Sequence, residues 1–358
     1  MNGYVTFNQI TERLSENSLD YKILKLSDNS KIIISTLGGR IFGPFFSDEH
    51  ESIFWTNKAF SNKGDFKVFL DKRQWNLGGE RLWIAPEIQF RIKDRNDFWN
   101  TYILPESMDP ANYVVKDIGE NKIELSANID LNAYNLNTGI KELKIERTIV
   151  AINNPLENIT DYQSLMKEVL FSGYEHGITI SERKNDGILA EAWTLIQLNP
   201  GGNIYIPVTK NTPGIYTDYF SPVDQNFLEN GRNFIKLKIT GDRQYKIGLN
   251  SAFLSGRAAY LNDIDINNSY IIIRNFFNNP SSYYCEEPPG LPGYHGNSLH
   301  IYNDDGSFGG FGELECNGQT IGGITGKSSS YDPMALWVFM GDKKRIKKIA
   351  GILLGIEI

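Results

Sequence analysis

The feature that most constrains the fold of this chain is a long succession of short β-branched and aromatic runs after residue 20. Clusters of Gly, Asn, Asp and Pro separate the runs, which is typical of many antiparallel strands joined by turns. Two pairs of runs, residues 21–26 with 31–36 and residues 113–117 with 122–127, flank short turn sequences and predict β-hairpins. The pattern therefore predicts a large sheet protein.

The same pattern recurs along the rest of the chain. Further strands are predicted at residues 142–152, 177–181, 189–198, 203–208, 234–239, 245–249, 270–276, 298–302, 311–316 and 335–340. No internal repeat and no low-complexity linker divides them. We therefore expect one domain over residues 1–358, of the all-β, mainly antiparallel class, built as a β-sandwich.

Two segments have a helical period instead. Residues 5–17 place Ile10 and Leu14 one helical turn apart, and residues 342–354 repeat isoleucine on one side. Short N- and C-terminal helices are therefore predicted. The second helix carries a row of Lys and Arg between residues 343 and 348, which we interpret as the solvated face of a helix docked to a sheet. An anionic membrane or a partner is the alternative.

Composition argues against several classes of partner and cofactor. The chain has 36 Lys and Arg against 43 Asp and Glu, a formal charge of -7, which is unlike the basic balance of a nucleic-acid-binding protein. Cys285 and Cys316 are too few for a disulfide framework or a thiolate metal cluster. The N-terminus lacks an apolar signal core, and no run approaches the roughly 20 apolar residues of a membrane helix. We therefore expect a cytoplasmic protein that binds neither nucleic acid nor a membrane. We also expect no cofactor, because the sequence has no phosphate-loop or dinucleotide motif.

The first segment with potential chemistry is residues 75–87. It brings Trp75, Trp83, Arg81 and Glu87 together around a tight glycine turn. This mixture suits a sugar, because a pyranose ring presents an apolar C–H face to an indole and hydroxyl groups to charged side chains. The alternative is an Arg81–Glu87 ion pair that braces the turn, with both tryptophans in the core.

The second segment is residues 302–316. On a strand, Glu313 and Glu315 project to the same face, about 7 Å apart at the Cα atoms. Two close carboxylates raise one another's proton affinity, which is useful in a general base that works near neutral pH. The alternative is the exposed polar face of an edge strand.

Histidine is the natural acid for a reaction near neutral pH, and the chain has only His50, His176, His295 and His300. His176 and His300 fall on predicted strands, so they are the candidate acids, although any single histidine is more often structural. No two histidines have the spacing of a metal site with a third ligand nearby. The sequence therefore predicts no metal.

Several segments, in their order along the chain, resemble a group of bacterial proteins with the galactose-mutarotase-like supersandwich, related to aldose 1-epimerases. The segments are residues 37–41 (LGGRI), 75–87, 173–175 (GYE), 192–200 (AWTLIQLNP), 245–248 (YKIG), 296–304, 311–315 (FGELE) and 349–356. Together they extend from about residue 30 to residue 358. The resemblance implies two large, twisted antiparallel sheets that bind a carbohydrate.

The resemblance also implies roles for particular residues. In aldose epimerases, a glutamate in a Leu-Glu dipeptide takes the proton of the anomeric hydroxyl, while a histidine donates to the ring oxygen. Glu315 stands in this position, with Glu313 as its neighbour. The acid is His176 or His300, but residues 174–177 lack the Pro-Tyr-Phe sequence that follows the acid histidine in epimerases. The expected sugar contacts are Arg40, Trp75, Arg81, Trp83, Glu87, Trp193 and Asn303.

Three functions are consistent with these residues, all with a sugar or sugar derivative as the ligand. The first is an epimerase-like reaction at the anomeric centre. The second is a carbohydrate-binding or sensor protein that has lost the acid. The third is a glycoside hydrolase or lyase, which would need a second acid such as Glu87 or Glu191 across the groove from Glu315. The identity of the sugar and the oligomeric state stay open.

Overall fold

The computed structural model describes residues 5–209, 215–217, 219–220 and 222–358. Within these residues the chain is dominated by strands. The strands are β1 (Tyr21–Lys25), β2 (Lys31–Ser35), β3 (Ile41–Phe45), β4 (Glu80–Ala85), β5 (Val114–Gly119), β6 (Lys122–Ala133), β7 (Gly139–Ala151), β8 (Val169–Glu182), β9 (Glu191–Leu198), β10 (Asn203–Pro207), β11 (Ile215–Tyr216), β12 (Leu228–Asn230), β13 (Phe234–Lys238), β14 (Tyr245–Asn250), β15 (Arg257–Asp263), β16 (Asn268–Phe276), β17 (Asn297–Asn303), β18 (Gly312–Asn317) and β19 (Ser329–Asp342). The α-helices are α1 (Phe7–Glu16), α2 (Lys63–Asp71), α3 (Glu87–Phe90), α4 (Tyr162–Leu165) and α5 (Lys343–Leu354).

The strands form two sheets. Sheet I has nine strands in the order β1-β2-β3-β4-β9-β18-β17-β14-β11, and sheet II has ten in the order β12-β13-β10-β15-β16-β19-β8-β7-β6-β5. Neighbouring strands pair antiparallel, and both predicted hairpins are present as β1–β2 and β5–β6. The prediction of an all-β, mainly antiparallel fold with two large sheets is confirmed.

Both terminal helices are also confirmed, and their ends have local causes. Helix α1 begins after Thr6, whose hydroxyl accepts from the Gln9 backbone amide while the Gln9 side chain accepts from Thr6 N–H, a capping box. Helix α5 begins after Asp342, which caps the amide of Arg345, and it ends at Gly355, where φ is +68°. The apolar side of α5 packs on the outer face of sheet II, as its spacing predicts.

Sequence reasoning missed strand β4, because it interpreted residues 75–87 as a glycine turn. The turn exists at Gly78 and Gly79, where φ is +95° and +77°. A Cβ atom on Gly79 would lie 2.4 Å from the carbonyl oxygen of Ile41, so only glycine fits there. Strand β4 starts immediately afterwards, and every one of its residues is buried. Its first two residues, Glu80 and Arg81, are charged, which hides the hydrophobic pattern of a strand.

The layers of the fold decide where charged side chains lie. One face of sheet I packs against sheet II, and the other face carries a cavity. Because side chains alternate along a strand, Thr194 of β9 points between the sheets, where it contacts Met334 of β19. Trp193 and Leu195 point to the cavity. Both faces of β9 are therefore covered, and all eight of its residues are buried. In the part of the chain that the structure describes, no helix has the length and apolar composition needed to cross a membrane.

Candidate functional site

A cavity of about 370 Å³ opens on the face of sheet I that points away from sheet II. Strands β4, β9, β18, β17 and β14 form its floor, and the loops that connect them form its walls. The residues that line it are Trp75, Arg81, Trp83, Glu87, Arg91, Trp99, Tyr102, Trp193, Leu195, Tyr219, Phe220, Gln244, Lys246, Tyr302, Phe308, Phe311, Glu313 and Glu315. The size is within the usual range for a site that holds a small ligand.

Glu315 lies at the centre of the cavity floor. Its Oε2 accepts hydrogen bonds from Lys246 Nζ at 2.9 Å and from Trp193 Nε1 at 3.1 Å. Strand pairing places Glu315 between β9 and β17, where it lies opposite Leu195 on one side and His300 on the other. Trp193 is two residues before Leu195 and therefore on the same face of β9. Both hydrogen bonds described for Glu315 end on Oε2, so Oε1 is the oxygen that can accept from a ligand.

Glu313, two residues earlier on the same face, has a different set of partners. Its Oε1 accepts from Arg81 Nη2 at 2.6 Å and from Gln197 Nε2 at 3.1 Å. The Arg81 guanidinium lies over the Trp83 ring, with 3.9 Å between its Cζ and the ring centroid, and over Trp75 at 4.8 Å. Burial raises the pKa of Glu313, and the nearby Glu315 carboxylate raises it further, while Arg81 opposes both effects. The predicted carboxylate pair is thus on a floor strand of the cavity.

A third ion pair closes one side of the cavity. Glu87 and Arg91, one turn apart on α3 and its C-terminal end, form a direct salt bridge. The Arg91 guanidinium lies 4.0 Å from the Trp83 ring centroid and 5.1 Å from that of Trp193. The expected alternative, an Arg81–Glu87 pair, is therefore replaced by two separate pairs, Arg81–Glu313 and Arg91–Glu87. Among the described residues, all three cations that line the cavity have a carboxylate partner.

Two further carboxyl groups lie close beneath the cavity without lining it. Glu191 accepts from the backbone amide of Cys285 at 2.8 Å and from Thr320 Oγ1 at 2.6 Å, and burial raises its pKa to about 7. Glu286 accepts from the backbone amide of Glu87 at 2.7 Å, and burial raises its pKa to about 8. Glu191 is fully buried, so it does not face Glu315 across an open groove.

The cavity brings together seven of the residues that the sequence singled out. They are Trp75, Arg81, Trp83, Glu87, Trp193, Glu313 and Glu315. Arg40 and Asn303 lie behind the lining. Arg40 is fully buried and forms a salt bridge of 2.7 Å with Asp109, whose carboxylate also accepts from Trp83 Nε1 at 2.8 Å. Arg40 therefore positions the wall instead of contacting a ligand.

Asn303 has a similar supporting position. Its Oδ1 accepts from the backbone amides of Thr240 and Gly241 at 2.8 and 3.1 Å, and its Nδ2 donates to the carbonyl oxygen of Arg243 at 2.6 Å. These bonds hold the turn that leads into β14, the strand that carries Lys246. The polar atoms of Asn303 are thus used within the protein, and Asn303 does not line the cavity.

The structure separates His176 from the cavity. This residue of β8 in sheet II points between the sheets, where its Nδ1 lies 2.8 Å from Glu80 Oε1 and its Nε2 accepts from Arg147 Nε at 3.0 Å. Since Arg147 donates to Nε2, the proton of the neutral ring is on Nδ1 and is donated to Glu80. Burial lowers the pKa of His176 to about 4. The ring therefore cannot reach a ligand beside Glu315.

His300 lies nearer but beneath the lining. It is directly opposite Glu315 on the neighbouring strand, and its ring centroid is 6.3 Å from that of Trp193 and 5.9 Å from that of Tyr219. The Asn317 amide donates its N–H to Glu191, so its oxygen, 3.0 Å away, accepts from His300 Nδ1. Burial lowers the pKa of His300 well below its usual value, and Lys246 adds to the effect. This histidine is neutral and covered.

Several lining residues were missed by sequence reasoning. Lys246 is in a segment that was identified as a strand, and Arg91 lies four residues after the segment of residues 75–87. Tyr302 adjoins Asn303, which was singled out. The wall residues Trp99, Tyr102, Tyr219, Phe220 and Phe308 are in loops. The available signal for these loops was their aromatic content, since exposed loops seldom carry so many large rings.

Comparison with known proteins shows the family of this chain. Residues 5–358 match the model of a family described as "Family of unknown function (DUF6786)", and the chain belongs to that family. A search of the curated proteins finds no match.

Solved structures with a related arrangement include three from bacteria. A protein from Escherichia coli K12 named "Putative aldose 1-epimerase" has 11% identity and a TM-score of 0.48, covering 89% of this chain and 99% of its own. A galactose mutarotase-like protein from Lactobacillus casei has 12% identity and a TM-score of 0.43, and the match covers 90% of this chain and 100% of that protein. A protein from Synechocystis sp. PCC 6803 has 12% identity and a TM-score of 0.49, and the match covers 90% of this chain and 95% of that protein. At identities of 11% and 12%, these matches assign no role to any residue of the cavity.

Proposed function

We propose that the protein binds a sugar or sugar derivative in the cavity of sheet I. The observation that carries this proposal is the floor of the cavity, where indole rings alternate with paired charged groups. Trp83 and Trp193 lie beneath the cations of these pairs, and Trp75 offers apolar ring surface at the wall. Arg81, Lys246 and Glu315 offer charge-assisted hydrogen bonds beside the rings. A pyranose ring needs this combination, since one side of it is C–H and its edge is hydroxyl.

The charges favour a neutral ligand. In the part of the chain that the structure describes, three cations line the cavity, and each has a carboxylate partner. The pairs are Arg81 with Glu313, Arg91 with Glu87, and Lys246 with Glu315. The lining therefore has no net charge from these six groups. An anionic or cationic ligand would have to displace a partner from a buried ion pair, at the cost of leaving a charge uncompensated. Hydroxyl groups can bond to both members of a pair without breaking it.

Binding of monosaccharides and short oligosaccharides, measured by calorimetry and by ligand-observed NMR, tests this proposal. We expect binding that weakens by about tenfold in Trp75→Ala, because the variant removes aromatic contact area at the wall. Tyr331→Ala is the matched control, since Tyr331 is 54% exposed on sheet II and far from the lining. Absence of binding by every sugar, or equal weakening in both variants, would contradict the proposal.

A second candidate is proton transfer at the anomeric centre of the bound sugar, as the resemblance to aldose epimerases implies. The observation that favours it is the free Oε1 of Glu315, next to an Oε2 that Lys246 and Trp193 hold in place. Glu315 would take the proton of the anomeric hydroxyl. Among the described residues no histidine lines the cavity, so Lys246, 2.9 Å from Glu315, is the nearest cation that could donate to the ring oxygen as the ring bond breaks.

Exchange NMR on reducing monosaccharides separates the two candidates. If Glu315 is the base, Glu315→Gln slows protein-catalysed anomer exchange by roughly 10²- to 10⁴-fold while binding is largely retained. The matched control is Glu313→Gln, which changes the neighbouring carboxylate on the same strand. If the wild type binds a sugar but does not accelerate anomer exchange, the second candidate is wrong and the protein only binds the sugar.

A further inference from the structure

Two aromatic rings at the mouth of the cavity, those of Trp99 and Phe308, keep almost half of their surface exposed. Trp99 is 46% exposed and Phe308 is 48% exposed, although both line the same cavity as Glu315. The Trp99 ring lies nearly parallel to that of Phe220, with centroids 4.9 Å apart and an interplanar angle of 22°. A ring supported on one side, with almost half its surface exposed, has its other face available for contact.

The rings at the mouth are held by protein contacts. Trp99 also contacts Phe98 and Tyr102, with ring centroids 4.7 and 6.5 Å away. The Phe220 ring contacts that of Tyr302, with 5.9 Å between the ring centroids. Because these contacts already position the indole, the Trp99 side chain loses little conformational entropy when a ligand stacks on it.

The opposite side of the mouth is braced in the same way. The carbonyl oxygen of Phe308 accepts from Asn76 Nδ2 at 2.9 Å, and the backbone N–H of Phe308 donates to Asp304 Oδ2 at 3.2 Å. The Phe308 ring lies 5.8 Å from that of Trp75, which belongs to the cavity wall. The two exposed rings thus belong to structured loops.

The volume of the cavity limits how much of a ligand can be enclosed. A dry cavity of about 150 Å³ accommodates benzene, and a hexopyranose has twice as many non-hydrogen atoms, so one sugar ring needs roughly 300 Å³ on the same scale. The observed 370 Å³ therefore holds one ring with little to spare. Trp99 and Phe308 line this volume at its mouth, so a second ring linked to the first would extend out of the cavity over their exposed surface.

We propose that Trp99, supported by Phe220, forms a second sugar-binding subsite, and that the ligand of the cavity is an oligosaccharide of at least two pyranose rings. This inference rests on the proposed binding of carbohydrate to the floor. The C–H face of the second ring packs on the open face of the indole, and its hydroxyl groups stay in water. The subsite contributes apolar contact, while the charged groups on the floor orient the first ring.

The test is calorimetric titration of glucose, galactose, mannose and xylose, and of disaccharides and trisaccharides of each, into the wild-type protein. Each oligosaccharide of a sugar that binds should bind roughly two- to tenfold more tightly than the monosaccharide. Trp99→Ala should remove this difference by weakening binding of the oligosaccharide more than binding of the monosaccharide. Trp99→Phe should restore part of it, and Tyr331→Ala, an exposed aromatic residue on sheet II, should leave both affinities unchanged.

Four outcomes would overturn the subsite. If monosaccharide and oligosaccharide bind equally, or if Trp99→Ala weakens neither, the subsite is absent while carbohydrate binding on the floor still stands. If no sugar of any length binds, the proposed function fails, and the subsite fails with it. If sedimentation shows a wild-type dimer that Trp99→Ala converts to a monomer, a second copy of the chain covers the mouth.

Discussion

Two clusters of buried charge lie on opposite faces of sheet I, and they begin on adjacent residues of β4. Glu80 points between the sheets, where it contacts Arg274, His176 and the hydroxyl of Tyr174. Its neighbour Arg81 points to the cavity and pairs with Glu313. We call the first group the inter-sheet cluster and the ion pairs that line the cavity the cavity cluster.

The clusters resemble one another in chemistry and differ in access. Each contains a carboxylate paired with a buried arginine at 2.6 Å. In the inter-sheet cluster the partners come from both sheets, and Glu80, His176 and Arg274 have no exposed surface. In the cavity cluster the charged groups line an open volume. Similar residue types therefore stabilise the fold in one place and offer hydrogen bonds to a ligand in the other.

Removal of the carboxylate from the inter-sheet cluster should have the largest effect on stability. Glu80→Gln leaves the Arg274 guanidinium, which has Glu80 as its described partner, buried without a counter-charge. Losing one partner of such a pair costs about 3–5 kcal/mol in the free energy of unfolding. Urea denaturation measures this loss. A loss below that of the matched variant Glu313→Gln would contradict the distinction between the clusters.

The inter-sheet cluster should also weaken in acid. Burial lowers the pKa of His176 from 6.5 to about 4, so between these values the unfolded chain binds more protons than the folded one. Stability is therefore lost as pH falls through this window. The Glu80 carboxylate acts in the same direction at lower pH, because Arg274 and His176 outweigh its burial and hold its pKa well below the usual range.

His176→Gln tests this pH dependence, since glutamine can donate to Glu80 and accept from Arg147 but does not titrate. The free energy of unfolding should decrease less between pH 6.5 and pH 4 in the variant than in the wild type. Denaturation curves at a series of pH values give the two slopes. Equal slopes would show that His176 titrates normally.

A carboxyl group near the cavity cluster should produce the opposite pH dependence. Burial raises the pKa of Glu286 from 4.5 to about 8, with Lys246 opposing this shift. Between these values the folded protein binds more protons than the unfolded chain, so stability falls as pH rises. Glu286→Gln should flatten this decline between pH 6.5 and pH 8, a range in which the contribution of His176 is small and fades as pH rises. Part of the slope remains because Glu191, with a pKa raised to about 7, also titrates there.

The slope is measured from urea midpoints of wild type and variant at matched pH values. Glu80→Gln serves as the control, because the pKa of Glu80 is far below this range. An unchanged slope in Glu286→Gln would mean that this carboxyl group ionises in the folded protein as it does in water.

The smallest expected effect on stability is at the cavity cluster. Glu313→Gln removes the partner of Arg81, but Arg81 keeps its contacts with the Trp83 and Trp75 rings and can be hydrated from the cavity. We expect a loss of about 1–2 kcal/mol in the free energy of unfolding, because water can replace part of the lost hydrogen bonding. The same denaturation series as for Glu80→Gln measures it. A loss equal to that of Glu80→Gln would mean that the cavity excludes water.

Much of the strand architecture could be predicted from the sequence, because alternation and turn residues are local signals. The hairpins β1–β2 and β5–β6 and the terminal helices α1 and α5 are examples. Strand β4 was missed because two charged residues begin it. The motif around Glu313 and Glu315 predicted two carboxylates on one face of a strand, because a two-residue spacing on any strand has this result, and both side chains line the cavity.

The position of the two histidines could not be predicted from the same information. His176 and His300 both lie on strands, as expected, and both are fully buried. Whether a side chain points between the sheets or toward the cavity depends on how the strand is paired and which face its sheet presents. Every residue of β17 is buried, so the hydrophobic pattern does not distinguish the two faces of the strand that carries His300.

The sequence by itself determined the class of fold, the hairpins, the terminal helices and the residue types available for a site. Local geometry is sufficient for these, because turns, caps and strand alternation act over a few residues. Only the tertiary structure decided that Arg81 faces a cavity while Glu80 is sealed between the sheets. Adjacent residues of a strand always point to opposite faces, and it is the stacking of sheet I on sheet II that makes one face interior and leaves the other open to a ligand.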